Sequence, residues 1–380
     1  MTLADILLNA LSCSPFYLEI PMLSVSRFSL LRSSLLPRSL IAVSTLLAVF
    51  SSSSLLAEET VRIAVVARDN AGKPAFTGTP QRMSEDKLLA DALAKKGVKL
   101  EWVPVTTTSV AALVNESFTN RRIDLAFYGD LPSVILNASG TRTKLVVPGN
   151  LGNNTYLVVP PNSTAKSIRD LKGRKIALHR GRPWEVSFGK LIASEGLTLK
   201  DFRIINLNPQ AGSAAVAAGS VDAFFTLNDA WLLQDKKLGR IIWSSQKSPD
   251  DWKMRAEFWA SEDFVKTKPE ITQILVTAAV RAAYWVSQDK NRDAYFAEQA
   301  EFGLPESVLR RDADGNQANW KDYWSPLFTP TLTQHYQGVI DHAASNGLIR
   351  NRPDVNSLLA PQFLPVALKE LNLVNYWKTR

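Results

Sequence analysis

Apolar and polar positions along this chain switch between two periods. Val61 to Ala67 (VRIAVVA) is an unbroken apolar run of strand length, and Val98 to Val105 alternates around Leu100 and Trp102. Helical periodicity runs from Ser84 to Lys96, with Gly97 as the stop, and again from Thr107 to Phe118. Ile123 to Tyr128 (IDLAFY) reads as a buried strand. Strand and helix in turn predict a mostly parallel sheet with helices on its faces. After Pro269 the pattern is helical, over Ile271–Gln288, Arg292–Phe302, Thr331–Asn346 and Pro365–Leu371, and no strand is evident there.

One unit recurs. Ile123-Asp124-Leu125-Ala126-Phe127 is followed by Gly129-Asp130-Leu131-Pro132 and a helix; Val221-Asp222-Ala223-Phe224-Phe225 is followed by Asn228-Asp229-Ala230-Trp231 and a helix. Each strand ends in a polar turn that begins a helix, which suggests two similar lobes. Between the units, Lys144 to Pro161 holds two apolar strands flanking Gly149 to Asn154, and a second crossing is expected near Lys237 to Ser245. Two crossings mean an inserted lobe: residues 154–236 form lobe 2, and 58–153 with 237–380 form lobe 1, which carries the C-terminal helices.

The stretch Lys166 to Leu197 parses as short helix, strand, loop and helix. Ser167 and Asp170 make a capping-box-like start, and Gly173 is a helix stop. Lys175 to His179 is a short strand. Arg180-Gly181-Arg182 follows, Pro183 suits the first position of a helix, and Trp184, Phe188, Leu191 and Ile192 share one face of it. A loop with two arginines thus stands at a strand's C-terminal end and a helix N-terminus, where open α/β sheets bind ligands and free N–H groups favour anions. An ordinary connection with solvated arginines fits the same pattern.

Composition changes the picture at the N-terminus. Arg27, Arg32 and Arg38 precede the apolar run Leu40 to Phe50, a serine cluster, and Leu55-Leu56-Ala57. That is a secretory signal peptide over residues 1–57, with translation beginning at Met1 or Met22; the apolar run is short for a membrane span. The single cysteine, Cys13, and two of the four methionines fall in this leader, leaving only Met83 and Met254 in the rest. The formal charge of +8 comes without a run of lysine or arginine or a nucleic-acid module, so nucleic acid is not an expected partner.

The motifs of nucleotide binding, of the nucleophile elbow and of zinc hydrolysis are missing. His335 and His342 lie seven apart on an expected surface helix and read as solvated or packed; His179 abuts the arginine loop. No histidine has an evident metal partner, so no metal and no cofactor is expected. The remaining candidates are binding groups. Arg180 and Arg182 offer charge and forked donors to an anion, and Asp130, Asn153, Asn154, Asn228 and Asp229 lie at strand ends or crossings. Tyr128, Trp184, Trp231 and Trp259 are candidates for an apolar wall, though each taken singly suits a core better. Asp130 and Asp229 also permit a rival reading, a secreted hydrolase with an acid–base pair.

The phrases IDLAFYGDLPSV, SIRDLKGRKIALHRG and NPQAGSAAVAAGSVDAFF, behind a leader, resemble periplasmic solute-binding proteins of ABC importers. The branch they resemble serves aliphatic sulfonates, taurine, nitrate and sulfate esters, and the likeness covers about residues 60–265. The resemblance implies a type II, two-lobed α/β fold with an interlobe ligand cleft and a helical C-terminal segment. It also implies a monomer in the periplasm that hands a small sulfonate or sulfate ester to a permease and its ATPase, without catalysis. Carried onto this chain, it puts the turn Gly129 to Pro132, the loop His179 to Trp184 and the turn Asn228-Asp229 at the cleft. The expected ligand set is therefore Tyr128, Gly129, Asp130, Asn154, His179, Arg180, Gly181, Arg182, Trp184, Asn228, Asp229 and Trp231. The loop HRGRPWE departs from the small-residue loop common in the branch and favours a strongly anionic head. Nitrate or a thiamine precursor remain alternative ligands.

Overall fold

The VRIAVVA run forms a strand whose Val61, Ile63, Ala64 and Val65 are all buried, as an apolar run covered on both faces should be. A computed structural model describes residues 59–378 apart from 71–72 and 107–108; the expected leader, with Cys13, lies outside the described residues. In chain order the strands are β1 (Glu59–Val66), β2 (Arg68–Asn70), β3 (Lys73–Ala75), β4 (Val98–Val105), β5 (Leu125–Gly129) and β6 (Thr143–Val147). They continue as β7 (Tyr156–Val159), β8 (Lys175–Ala177), β9 (Arg203–Ile205), β10 (Ala223–Thr226), β11 (Arg240–Ser244) and β12 (Ala256–Ser261).

These strands make two five-stranded sheets, in the orders β4-β1-β5-β12-β6 and β11-β7-β10-β8-β9, and β2 and β3 form a ribbon. In the first sheet β1 runs parallel to β4 and β5, and β12 is antiparallel to both neighbours. In the second, β10 and β9 run parallel to β8, and β7 is antiparallel to β10 and β11. The recurring unit holds up in space: β5 and β10 occupy interior positions of their sheets, each leading into a helix, Asp130–Ala138 and Ala230–Asp235.

Three boundaries differ from expectation. The helix expected over Ser84–Lys96 starts later, as Lys87–Ala94, because the Asp86 side chain accepts the Leu88 N–H at 2.9 Å and caps it, and a separate helix not anticipated, Gly78–Ser84, precedes it. Ala256–Ser261, a strand not anticipated, sits inside the first sheet between β5 and β6. Arg240–Ser244, expected in the second crossing and in lobe 1, is a strand of the second sheet, registered against Tyr156 to Val159. Local sequence specifies an apolar strand here and says nothing of which sheet it joins. The chain returns to the first sheet over 245–255, where Asn153 and Met254 pair as an isolated antiparallel bridge (2.7 and 3.2 Å).

Of the C-terminal helices, Pro269–Ser287 and Leu364–Glu370 pack into the core on one side of the first sheet, and Pro330–Ser345 into that on the other. Arg292–Ala300 and Glu306–Asp314 stand apart, joined by aromatic packing of Phe296, Trp320, Tyr323 and Trp324. Among the described residues no helix is long and apolar enough to cross a membrane.

Candidate functional site

The C-terminal ends of β1 and β5 face those of β8 and β10, because both crossings leave from these edges. Gly129, closing β5, packs against Pro183, which opens the helix Trp184–Ser194; a Cβ on Gly129 would collide with the Pro183 ring. The two turns expected at the cleft therefore touch. Beside them, Val66 at the end of β1, with Arg68 and Thr77, faces Asn228 at the end of β10 across a cavity of about 230 Å³. Since β1 pairs with β5 and β10 with β8, cavity and turn contact are neighbours. Gln299, Phe302, Leu304 and Leu309 complete the cavity. Two larger hollows, of about 500 and 530 Å³, open where the sheets' strands begin and end away from this edge, near Glu59 and Arg142 and near Ser163 and Arg174.

The arginine loop is tightly held. The Glu185 carboxylate, fully buried in the first turn of the helix, accepts Arg180 Nε at 2.8 Å and the Gly181 N–H at 2.5 Å. Burial alone would raise Glu185, but His342, the Gly181 N–H and Arg180 together hold it below the usual carboxylate range. The Arg180 N–H donates to Asn206 Oδ1 at 3.0 Å. Gly181 adopts φ +71°, the left-handed conformation that glycine enters without a Cβ penalty. Arg182 is 6% exposed with its guanidinium 5.2 Å above the Trp184 ring, and burial pulls it down to about 10. His179 lies 5.9 Å from the same ring; burial, and then the charge of Arg182, lower its pKa, and its Nδ1 is buried without a hydrogen-bond partner among the described residues.

Several expected ligand residues have other roles. Tyr128 and Trp259 lie in the core of the first sheet with Phe118 and Tyr336, not on a cleft wall. Trp184 anchors its loop in the core of the second sheet. Asp130 is fully buried: its Oδ2 accepts the Arg255 N–H at 2.9 Å and faces His335 Nε2 at 2.7 Å. His335 Nδ1 faces the Asp251 carbonyl at 3.0 Å, so this ring joins the end of β5 to the second crossing segment and is not on the surface. Asp229 caps its turn, accepting Thr226 Oγ1 at 2.7 Å and the Leu227 N–H at 3.2 Å, and burial pushes it up to about 6. Asp130 is thus engaged by Arg255 and His335, and Asp229 by the residues of its own turn.

Asn154, Asn228 and Trp231 converge on one helix, Glu306–Asp314. Asn154 Nδ2 donates to Asp312 Oδ1 at 3.0 Å, the Tyr156 hydroxyl and the Asn228 side chain donate to the same carboxylate, and Trp231 lies 4.8 Å beneath the Arg311 guanidinium. Arg311 also pairs with Asp235 at 2.8 Å. The helix expected to pack on the first lobe is therefore bound to the second sheet. Of the expected set, Asn228 alone lines the cavity. Arg68 was findable from the sequence, since it follows the first strand's C-terminal end, the same rule that drew attention to the other turns. Nothing local to Gln299, Phe302, Leu304 or Leu309 marks them.

A family model described as ABC transporter, phosphonate, periplasmic substrate-binding protein matches residues 78–267. A solved structure carrying the name periplasmic sulfonate-binding protein SsuA, from Methylobacillus flagellatus KT, is 48% identical over 85% of this chain and 97% of its own, with a TM-score of 0.78. A protein of Bacillus subtilis (strain 168) that carries the name aliphatic sulfonates-binding protein is 23% identical over 74% of this chain and 82% of its own. The alkanesulfonate-binding protein SsuA of Xanthomonas axonopodis pv. citri, solved with MOPS, shares the fold at 21% identity, over 79% of this chain and 98% of that one, with a TM-score of 0.63.

Proposed function

Because the chain belongs to the family of periplasmic substrate-binding proteins of ABC transporters, we propose that it captures a small organic sulfonate or sulfate ester for sulfur uptake. The observation that carries this reading is the cavity between the ends of β1 and β10. It presents Arg68, Thr77, Asn228 and Gln299 to an anionic head, and Val66, Phe302, Leu304 and Leu309 to an organic tail. Bare nitrate would leave that apolar wall without a partner. At about 230 Å³ the cavity is smaller than the roughly 300–1,000 Å³ of drug-sized sites, which suits a ligand of few atoms. The arginine loop, whose Pro183 packs against Gly129, holds Arg182 buried over Trp184. A region with only Met83 and Met254 for sulfur fits a protein made when sulfur is scarce.

In this reading the sheets are the cores of two lobes. The second spans the strands β7 to β11, and the segments 148–155 and 245–255 form the hinge. The leader directs export, the monomer binds without chemistry, and the loaded form docks on a permease with its ATPase. Differential affinity for the closed form drives the closure.

The test is a thermal-shift and calorimetric screen of the chain beginning at Glu58 against methanesulfonate, butanesulfonate, taurine, an alkyl sulfate, nitrate, methylphosphonate and a pyrimidine. Sulfonates or sulfate esters should bind one to one, stabilising by about 2.7 kcal/mol at a hundredfold excess over Kd, and the ligand should be recovered unchanged. Binding of nitrate, phosphonate or pyrimidine alone would overturn the sulfonate assignment, and a turned-over ester would overturn the non-catalytic one.

A further inference from the structure

We propose that the segment Gln299 to Leu309 is a strap across the cavity mouth that supplies one donor to the ligand head and sets the length of its tail. The inference rests on the functional reading above and adds to it the residues that choose among sulfonates. Half of the residues lining the cavity, Gln299, Phe302, Leu304 and Leu309, come from this segment, which lies beyond the stretch matched by the family model.

The strap is anchored on both sides. On the first-sheet side, Arg82 pairs with Glu298 at 2.7 Å and the Arg68 guanidinium lies 5.7 Å from the Phe302 ring centre. On the second-sheet side, Arg311 pairs with Asp235, Asp312 accepts from Asn154, Tyr156 and Asn228, and Gln246 Nε2 donates to the Arg311 and Asp312 carbonyls at 3.1 and 3.2 Å. Between the anchors the chain turns at Gly303, with φ +99°, where a Cβ would stand 2.8 Å from Arg68 Nη1. Glycine here allows both the turn and the close approach of the arginine.

Gln299 Nε2 is buried on the cavity wall without a hydrogen-bond partner among the described residues. A buried donor left unmade is costly, and a ligand oxygen would satisfy it. Phe302, Leu304 and Leu309 bring only apolar side chains to the cavity, so the tail they accept is short, uncharged and apolar. Each methylene that fits should raise affinity about fourfold, and the first that does not fit should reverse the gain.

The experiment titrates the wild type, Leu304→Ala, Leu304→Trp and Gln299→Leu with methane-, propane-, butane-, hexane- and octanesulfonate, with melting curves as the folding control. Leu304→Ala should move the best tail to greater length and Leu304→Trp to shorter, both leaving methanesulfonate within about twofold of wild type. Gln299→Leu should weaken every sulfonate by a similar factor, about tenfold, without moving the optimum. Length profiles that coincide for wild type and both Leu304 variants would overturn the strap as tail wall, and unaltered binding by Gln299→Leu would overturn its donor. A wild type that binds none of the series would instead overturn the functional reading, and the tail assignment with it.

Discussion

Asn154 donates to the Asp312 carboxylate at 3.0 Å, joining the first crossing segment to a helix 158 residues further along the chain. The same carboxylate accepts from Tyr156 and Asn228. Asp312→Ala removes an acceptor that these groups share, and each buried donor left unmade costs about 1–3 kcal/mol. Urea unfolding should show a loss in that range or above, and sulfonate affinity should fall because Asn228 loses its support. Asp312→Asn, which keeps one acceptor oxygen, should lose less on both counts; equal losses for the two variants would speak against the network.

Gly129 and Pro183 make a second contact across the cleft that can be tested by size alone. Gly129 has φ −75°, which alanine adopts freely, so the effect of Gly129→Ala arises from the collision with Pro183. The variant should bind its ligand several-fold more weakly and show a larger radius of gyration by small-angle scattering in the bound state. Pro183→Ala removes the colliding ring atoms, so the double variant should recover part of the loss; additive effects would mean the contact does not couple the two turns.

Arg182 should matter to both folding and binding. Its guanidinium is buried over Trp184, so Arg182→Ala should lower the melting temperature, and it should weaken sulfonate binding at least tenfold, within the range for removing one partner of a desolvated charged contact. Arg174→Ala, exposed before β8, is the control and should change neither. Calorimetric titrations that give wild-type affinity for Arg182→Ala would move the head away from this loop.

Asp229 gives the protein a pH signature. Burial lifts it to about 6, above its unfolded value of about 4, so the folded state holds this proton more tightly than the unfolded chain. Its contribution to stability is fully present below about pH 4 and is lost as the pH rises through about 6. Asp229→Asn still accepts from Thr226 and Leu227 but does not titrate. Urea midpoints measured at pH 4.5 and 7 should therefore differ by less in the variant than in wild type; an unchanged difference would place the titration elsewhere.

Much of the architecture was legible because it depends on local pattern. VRIAVVA, IDLAFY and the Val221 to Phe225 run read as buried strands, and the polar turns after the last two opened helices, so the two similar units followed from period and turn chemistry. The position of the arginine loop at a strand end and a helix N-terminus also came from sequence, as did Asn228 at the cavity. What the sequence could not decide is which polar groups the fold would use internally. Asp130 resembled a cleft residue until His335, 205 residues away, was seen to face it, and Asn154 and Trp231 until a helix near residue 310 covered them. A strand's sheet, as for Arg240–Ser244, and a cavity's far wall, as for Phe302 and Leu304, depend on contacts made by chain segments remote in sequence. Hydrophobic period and turn residues act within a few positions of themselves and so are written locally. Burial of a charge, closure of a cavity and choice of a partner are settled only when distant segments pack, which is why local pattern determined the strands and turns and only the tertiary structure the wall of the cavity.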